Sequence, residues 1–283
     1  MLTGLAVTAA LWLAGPDMTV PASCQVPLDR INYRTCADEA PVGSPARSWA
    51  LINLGSQAFM AGDMARAVKL YDEARPADGL NMYSDPVFHA FRGAAYDHVG
   101  RSKEALADAQ TSWDILSGAV TIDPQNPPPT EDEYHGFVLA FILPILKANG
   151  DPAFAPAFGA YQRLSDDGVE ALIRRAALLE QLGDFSRALA AGEKAMKLRP
   201  DDPGLQNNHC YTLVRAGRAA EGLPYCEAAL ARLPEASPIL HSYASALAAL
   251  GRCEEAERQL AEARRLDPAA ALYRQPLECR AAG

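Results

Sequence analysis

The chain has 283 residues, of which 49% are apolar and only 7% aromatic, and its formal charge is −9. That length suits one or two compact domains or an extended repeat array. The acidic balance argues against general binding to nucleic acid or to an anionic membrane surface.

The first residues read "MLTGLAVTAALWLAGPDMTVPASC". The apolar run from Leu5 to Ala14 is too short to span a bilayer comfortably. It fits the apolar region of a secretory signal, and Val20-Pro21-Ala22 supplies small residues ahead of a cut before Ser23. No Lys or Arg precedes the run, which is atypical. Residues 1–22 are thus expected to be a signal peptide, with the protein periplasmic or secreted. The alternative is an envelope lipoprotein anchored at Cys24, because Ala22-Ser23-Cys24 fits the end of a lipobox; Pro21 and Asp17 fit it poorly. All six cysteines lie beyond the apolar run, and an even count in an exported chain favours disulfides. No C-x-x-C occurs, so zinc-knuckle and thioredoxin-type spacings are absent.

Residues 23–47 form a cysteine-bearing lead-in. From Ser48 the sequence reads as two helical pairs that reach to residue 120. The first carries Leu54, Gly55, Gly62, Ala67, Tyr71 and Ala74; the second carries Gly93, Tyr96, Gly100 and Ala105. "TIDPQNPPPTEDE", residues 121–133, is a proline-rich acidic linker with little scope for helix. A strongly apolar stretch follows, in which Pro144 is expected to kink or stagger a helix. Residues 134–168 read as a degenerate helical pair with Gly150 at the turn and Ala155 in the small slot. Phe137, Phe141, Phe154 and Phe158 are either core packing or a hydrophobic groove for a peptide or lipid chain.

The strongest signal comes next. Gly183, Gly217 and Gly251 are spaced by 34 residues, and so are Pro200, Pro234 and Pro268. The stretches "LGDFSRALAAGEKAMKLRP", "AGRAAEGLPYCEAALARLP" and "LGRCEEAERQLAEARRLDP" are parallel in design. Glycine lets the chain turn between two antiparallel helices, and proline stops the second helix. Small or bulky residues recur at matched places: Leu172, Ala176, Leu179, Ala188 and Ala195; then Cys210, Leu213, Gly222 and Ala229; then Leu240, Ala244, Leu247, Ala256 and Ala263.

A helix–turn–helix unit of this period resembles the tetratricopeptide repeat. The resemblance covers roughly residues 48–270 and is most specific in the three units of 169–270, which nevertheless lack the large aromatic that usually opens the first helix. It implies an all-α, right-handed superhelical solenoid of about five to six helical hairpins, with residues 271–283 as a C-terminal cap. In such proteins the first helices of successive units line a concave groove that grips a peptide or a partner protein. Here that face is expected to include Asn207, Tyr211, Arg215, His241 and Ser245, the first three forming one stripe of a helix. They read equally well as solvated or inter-repeat polar residues.

In a helical pair folded back at Gly217, Cys210 stands seven residues before the glycine and Cys226 nine after it, on inward slots. That places them within disulfide reach, with two core thiols or a chemical role as the alternatives. A Cys253–Cys279 bond would pin the cap over the exposed end, and Cys24–Cys36 then pair by elimination. Fifteen pairings of six cysteines exist. The five histidines form no H-E-x-x-H and read as surface residues. No Walker, dinucleotide or G-x-S-x-G pattern occurs, and carboxylate pairs such as Asp201-Asp202 and Glu254-Glu255 sit at helix starts, where they suit the helix dipole. The expectation is a non-enzymatic interaction scaffold of a bacterial cell envelope, with a protein or peptide partner. No cofactor, metal, nucleic acid or transmembrane span is expected. The alternatives are a thiol/redox or metal-linked accessory protein and a carrier of an apolar chain.

Overall fold

Six turns of one design organise the chain. At Gly217, Arg218 N–H donates to Leu213 O at 2.8 Å and Gly217 N–H donates to Val214 O at 3.0 Å. This is the Schellman arrangement, in which a residue past the helix end takes a left-handed conformation; Gly217 has φ +75°. The same two bonds recur around Gly62, Gly100, Gly150, Gly183 and Gly251. Each of these six glycines joins a first helix to a second.

The computed structural model describes residues 20–26, 30–74, 85–119, 131–165 and 167–279. The expected signal peptide lies almost wholly outside the described residues, as does most of the linker 121–133. A 3-10 turn, Ala22–Cys24, and helix α1, Tyr33–Glu39, make the lead-in. The hairpins are α2, Pro45–Met60, with α3, Met64–Glu73; α4, Pro86–His98, with α5, Ser102–Leu116; and α6, Asp132–Ala148, with α7, Phe154–Gln162. Then come α8, Val169–Gln181, with α9, Phe185–Leu198; α10, Pro203–Arg215, with α11, Ala219–Arg232; and α12, Ser237–Ala249, with α13, Cys253–Leu266. A last short helix, α14, spans Ala271–Arg274. Among the described residues there is no strand, and the fold is all-α. The chain divides between Leu164 and Ser165 into two units, each with its own packing.

Five of the six turns come in two chemistries. After Gly62 and Gly183 an aspartate caps the second helix, with Asp63 accepting from Arg66 N–H and Asp184 from Arg187 N–H. After Gly100, Gly217 and Gly251 an arginine stands there instead and pairs with a glutamate three residues on: Arg101–Glu104, Arg218–Glu221 and Arg252–Glu255. Asp-x-x-Arg and Arg-x-x-Glu are charge-reversed solutions to the same first turn. First helices start on Ser44, Asp85 and Asp202, each a side-chain cap followed by proline at the first helical place.

Close approach of the paired helices depends on small residues. A methyl on Gly55 would fall 2.6 Å from a Tyr71 ring carbon, and one on Gly93 would meet Ala105 O and Asp108 Cβ at 3.2 Å. A methyl on Gly222 would lie 3.0 Å from Cys210 O and 3.2 Å from Leu213 Cβ. Gly55 and Tyr71 occupy the places, seven before and nine after the turn glycine, that Cys210 and Cys226 occupy in a later hairpin. There the two cysteines are bonded, with Cα atoms 5.5 Å apart. Cys24 joins Cys36 and Cys253 joins Cys279, at Cα separations of 5.0 and 5.6 Å.

One expectation needs correction. Ala155 does not fill the small slot of the third hairpin; it is exposed, and Ala157 is buried instead. The reason is local: Asp151 Oδ1 accepts from Ala153 N–H at 2.8 Å, forming a turn with Pro152, and α7 starts only at Phe154. The other second helices start two residues after their glycine, whereas this one starts four after, so its register shifts by two. The Cys24 sulfur is bonded to Cys36. Pro144 removes one backbone hydrogen bond from α6 without ending it.

Gly55→Ala is expected to lower stability. Overpacking against buried Tyr71 costs about 1–3 kcal/mol, more than the roughly 1 kcal/mol alanine gains over glycine in a helix. Thermal melts of Gly55→Ala, Tyr71→Leu and the double variant check this: the double variant should be more stable than the two single losses added together.

Candidate functional site

In residues 165–283 the first helices α8, α10, α12 and α14 carry a line of polar and aromatic side chains. Tyr211 on α10 faces His241 on α12, ring centroids 6.0 Å apart, and His241 faces Tyr273 on α14 at 5.4 Å. The Arg215 guanidinium lies 5.9 Å from the Tyr211 ring and 6.0 Å from that of Phe185. Arg215 also pairs with Glu180 of α8 at 3.3 Å. Thr212 Oγ1 stands 2.8 Å from Glu180 Oε2 and 2.9 Å from Asn208 O, one proton for two acceptors.

The expected residues are distributed unequally. Arg215 is exposed, Tyr211 and Ser245 are half-buried, and Asn207 and His241 are buried. Ser245 spends its hydroxyl proton on His241 O at 2.8 Å, a bond within its own helix. Asn207 has the opposite problem. It is 9% exposed, its amide reaches Asn208 Oδ1 only at 3.4 Å, and its own Oδ1 is buried with no hydrogen-bond partner. A buried amide oxygen left without a donor costs about 1–3 kcal/mol. Tyr211 and His241 are brought into contact; Asn207, four residues before Tyr211, shares its helix face. Glu180 and Tyr273 belong to this line as well, and Phe185 borders it from the start of α9. Tyr273 had a sequence signal, since α14 begins 34 residues after α12.

The reading of the histidines as surface residues holds for His98, which is exposed, and fails for three others. His89, His209 and His241 are buried at 6%, 5% and 6% exposure. His209 of α10 points its Nδ1 to within 3.4 Å of where a Gly192 methyl would sit on α9, and its ring meets Tyr225 edge-on at 4.7 Å. His89 in residues 1–164 lies 2.8 Å from Asp108, whose carboxylate also takes two bonds of 2.7 Å from Arg92. Burial would push the Asp108 carboxyl up, but the bonds from Arg92 and His89 outweigh it and hold it below its usual value. This cluster ties α4 to α5.

The apolar stretch of the same unit packs ring against ring. Phe59, Phe91, Phe137 and Phe141 of α2, α4 and α6 make a cluster with centroids 4.7 to 5.6 Å apart. Phe154 stacks on Phe158 at 5.4 Å. Phe137, Phe141, Phe154 and Phe158 are half-buried. Among the described residues no helix is long and apolar enough to cross a membrane.

Comparison with known proteins bears on the fold. A family model described as tetratricopeptide repeat matches residues 169–202. No curated protein matches the chain in sequence. A tetratricopeptide repeat protein from Parabacteroides merdae is similar over 85% of this chain and 86% of its own, with 16% identity and TM-score 0.57. PilW, described as a type IV pilus biogenesis factor, covers 80% of this chain and 96% of its own at 16% identity and TM-score 0.49. MamA from Desulfovibrio magneticus covers 49% and 79% at 23% identity and TM-score 0.37. The chain has the tetratricopeptide-repeat fold, and residues 169–202 are one such repeat.

Burial sets a pH dependence. It pulls the His241 imidazole below its ordinary value, and it does the same to His209, where Glu193 opposes and Arg218 reinforces it. The unfolded chain then takes up protons that the folded one refuses, starting near an ordinary histidine value of about 6.5. Stability is therefore full above that pH and is lost as pH falls through the lowered values. Melting temperature should drop between pH 7.5 and 5.5, and the His209→Gln/His241→Gln variant should show a shallower drop in the same melts.

Proposed function

We propose that this tetratricopeptide-repeat chain is a protein–protein interaction scaffold of a bacterial cell envelope. A segment of a partner protein lies along the first-helix face that carries Asn207, Tyr211, Arg215, His241 and Ser245. The observation that supports this most is the half-buried Tyr211 ring, which faces His241 and lies near the exposed Arg215 guanidinium. That ring and the guanidinium offer a partner segment stacking and charge.

An oxidising compartment suits the cysteines, which are paired as Cys24–Cys36, Cys210–Cys226 and Cys253–Cys279.

A photo-crosslinking amino acid placed at Tyr211 is expected to capture a defined partner in the cell of origin. The same group at Glu227, exposed on the second helix α11, should not capture it. Tyr211→Ala/Arg215→Ala should weaken the isolated complex by at least about tenfold, a loss of about 1.4 kcal/mol, with unchanged circular dichroism. Equal capture from both positions, or undiminished affinity, contradicts the assignment.

A further inference from the structure

The array ends in an abbreviated fourth unit. Helix α10 begins at Pro203, α12 at Ser237 and α14 at Ala271, each 34 residues after the last. Helix α14 stops after four residues, and Pro276 follows. Side-chain packing keeps the register. Leu205 of α10 packs with Leu172 and Ala195 of the hairpin before it. Two periods later, Tyr273 packs with Leu240 and Ala263, the residues in the same places. Arg264 Nε also donates to Tyr273 O at 2.6 Å.

Beyond α14 the chain continues without helix along α12 and α13. Leu277 packs on the clusters around Leu240 and around Leu247, and Cys279 reaches Ala248 and Ala256 near the Gly251 turn. One helical turn and five non-helical residues thus run the length of a hairpin where a first helix would take thirteen residues, about 20 Å. Residues 271–279 form a strap over the apolar end face, and the Cys253–Cys279 bond fastens its far end.

The three disulfides differ in access. Cys210, Cys226 and Cys36 are fully buried and Cys24 nearly so, whereas Cys253 and Cys279 are both partly exposed. Thiolate attack on a disulfide requires access to a sulfur.

We propose that Cys253–Cys279 is a redox latch that controls the strap. A dithiol reductant attacks the bond, is itself oxidised to a disulfide, and leaves Cys253 and Cys279 as thiols, two electrons and two protons being transferred. The strap, then held by Tyr273, Leu277, the Arg264 and Arg274 bonds and the Cys279 contact with Ala248 O, lifts and exposes Leu240, Ala244, Leu260 and Ala263. Exchange with a disulfide oxidant, which is itself reduced to a dithiol, re-forms the bond and closes the strap. The uncovered strip is the kind of surface that receives a first helix elsewhere in the chain.

The test titrates the full protein with dithiothreitol and maps alkylated cysteines by mass spectrometry, with hydrogen–deuterium exchange read alongside. Cys253 and Cys279 should be alkylated at reductant concentrations that leave the other four bonded. Amide protection across 271–279 should then fall by at least about tenfold while helix content is unchanged. Cys253→Ser/Cys279→Ser should show the same loss of protection without reductant. Prior reduction of Cys210–Cys226 or Cys24–Cys36 overturns the proposal. So does a strap that stays protected in both the reduced protein and the variant, or a loss of helix on opening, which makes the bond a structural brace.

Discussion

Everything in this fold follows from how closely the two helices of a hairpin approach near their turn. That distance is set where the residue seven before the turn glycine meets the residue nine after it. Gly55 lies against the buried Tyr71 ring, and Gly93 against the backbone of α5. In each case a side chain is absent so that another can fit, and interiors packed near crystal density leave no slack for a methyl. Cys210 and Cys226 use the same rung differently: two small side chains meet and are joined. A closed loop of this length stabilises by roughly 3 kcal/mol in the chain-entropy model. The bond braces a hairpin whose second helix contains Pro224 and therefore lacks one of its own backbone hydrogen bonds.

The turn glycines fix direction, and the residues after them fix where the second helix begins. Asp63 and Asp184 cap their helices, whereas Arg101, Arg218 and Arg252 reach forward to a glutamate. These pairs are exposed, so they tune the turn rather than hold it. The third hairpin shows what happens when the start moves. Its Asp-Pro turn delays α7, and the buried alanine moves from 155 to 157 with it. The line of Glu180, Arg215, Tyr211, His241 and Tyr273 exists because hairpins in register bring equivalent faces of successive first helices side by side.

The repeat was legible because its determinants are local. Glycine in a left-handed turn, proline after the second helix and small residues on the rungs each leave a mark at fixed spacing. The all-α class and the tetratricopeptide-repeat fold followed directly. The surface reading of the histidines failed because burial of a polar ring depends on a gap in another helix: His209 enters space beside Gly192, a residue in the preceding hairpin. Ala155 misled for a related reason, since counting from a glycine assumes that the helix starts on time. At the candidate face, sequence placed Tyr211 and Arg215 on one stripe, but the burial of Asn207 and the reach of Glu180 depend on contacts between units. The strap's role was half legible, as Ala271 keeps the period while Pro276 breaks the helix.

The packing of neighbouring elements sets which cysteines pair. Peptide mapping of the native, non-reduced protein by mass spectrometry tests that most directly. It should find Cys24 linked to Cys36, Cys210 to Cys226 and Cys253 to Cys279, with no free thiol. Any cross-pairing between these, or Cys210 and Cys226 recovered as free thiols, would contradict it.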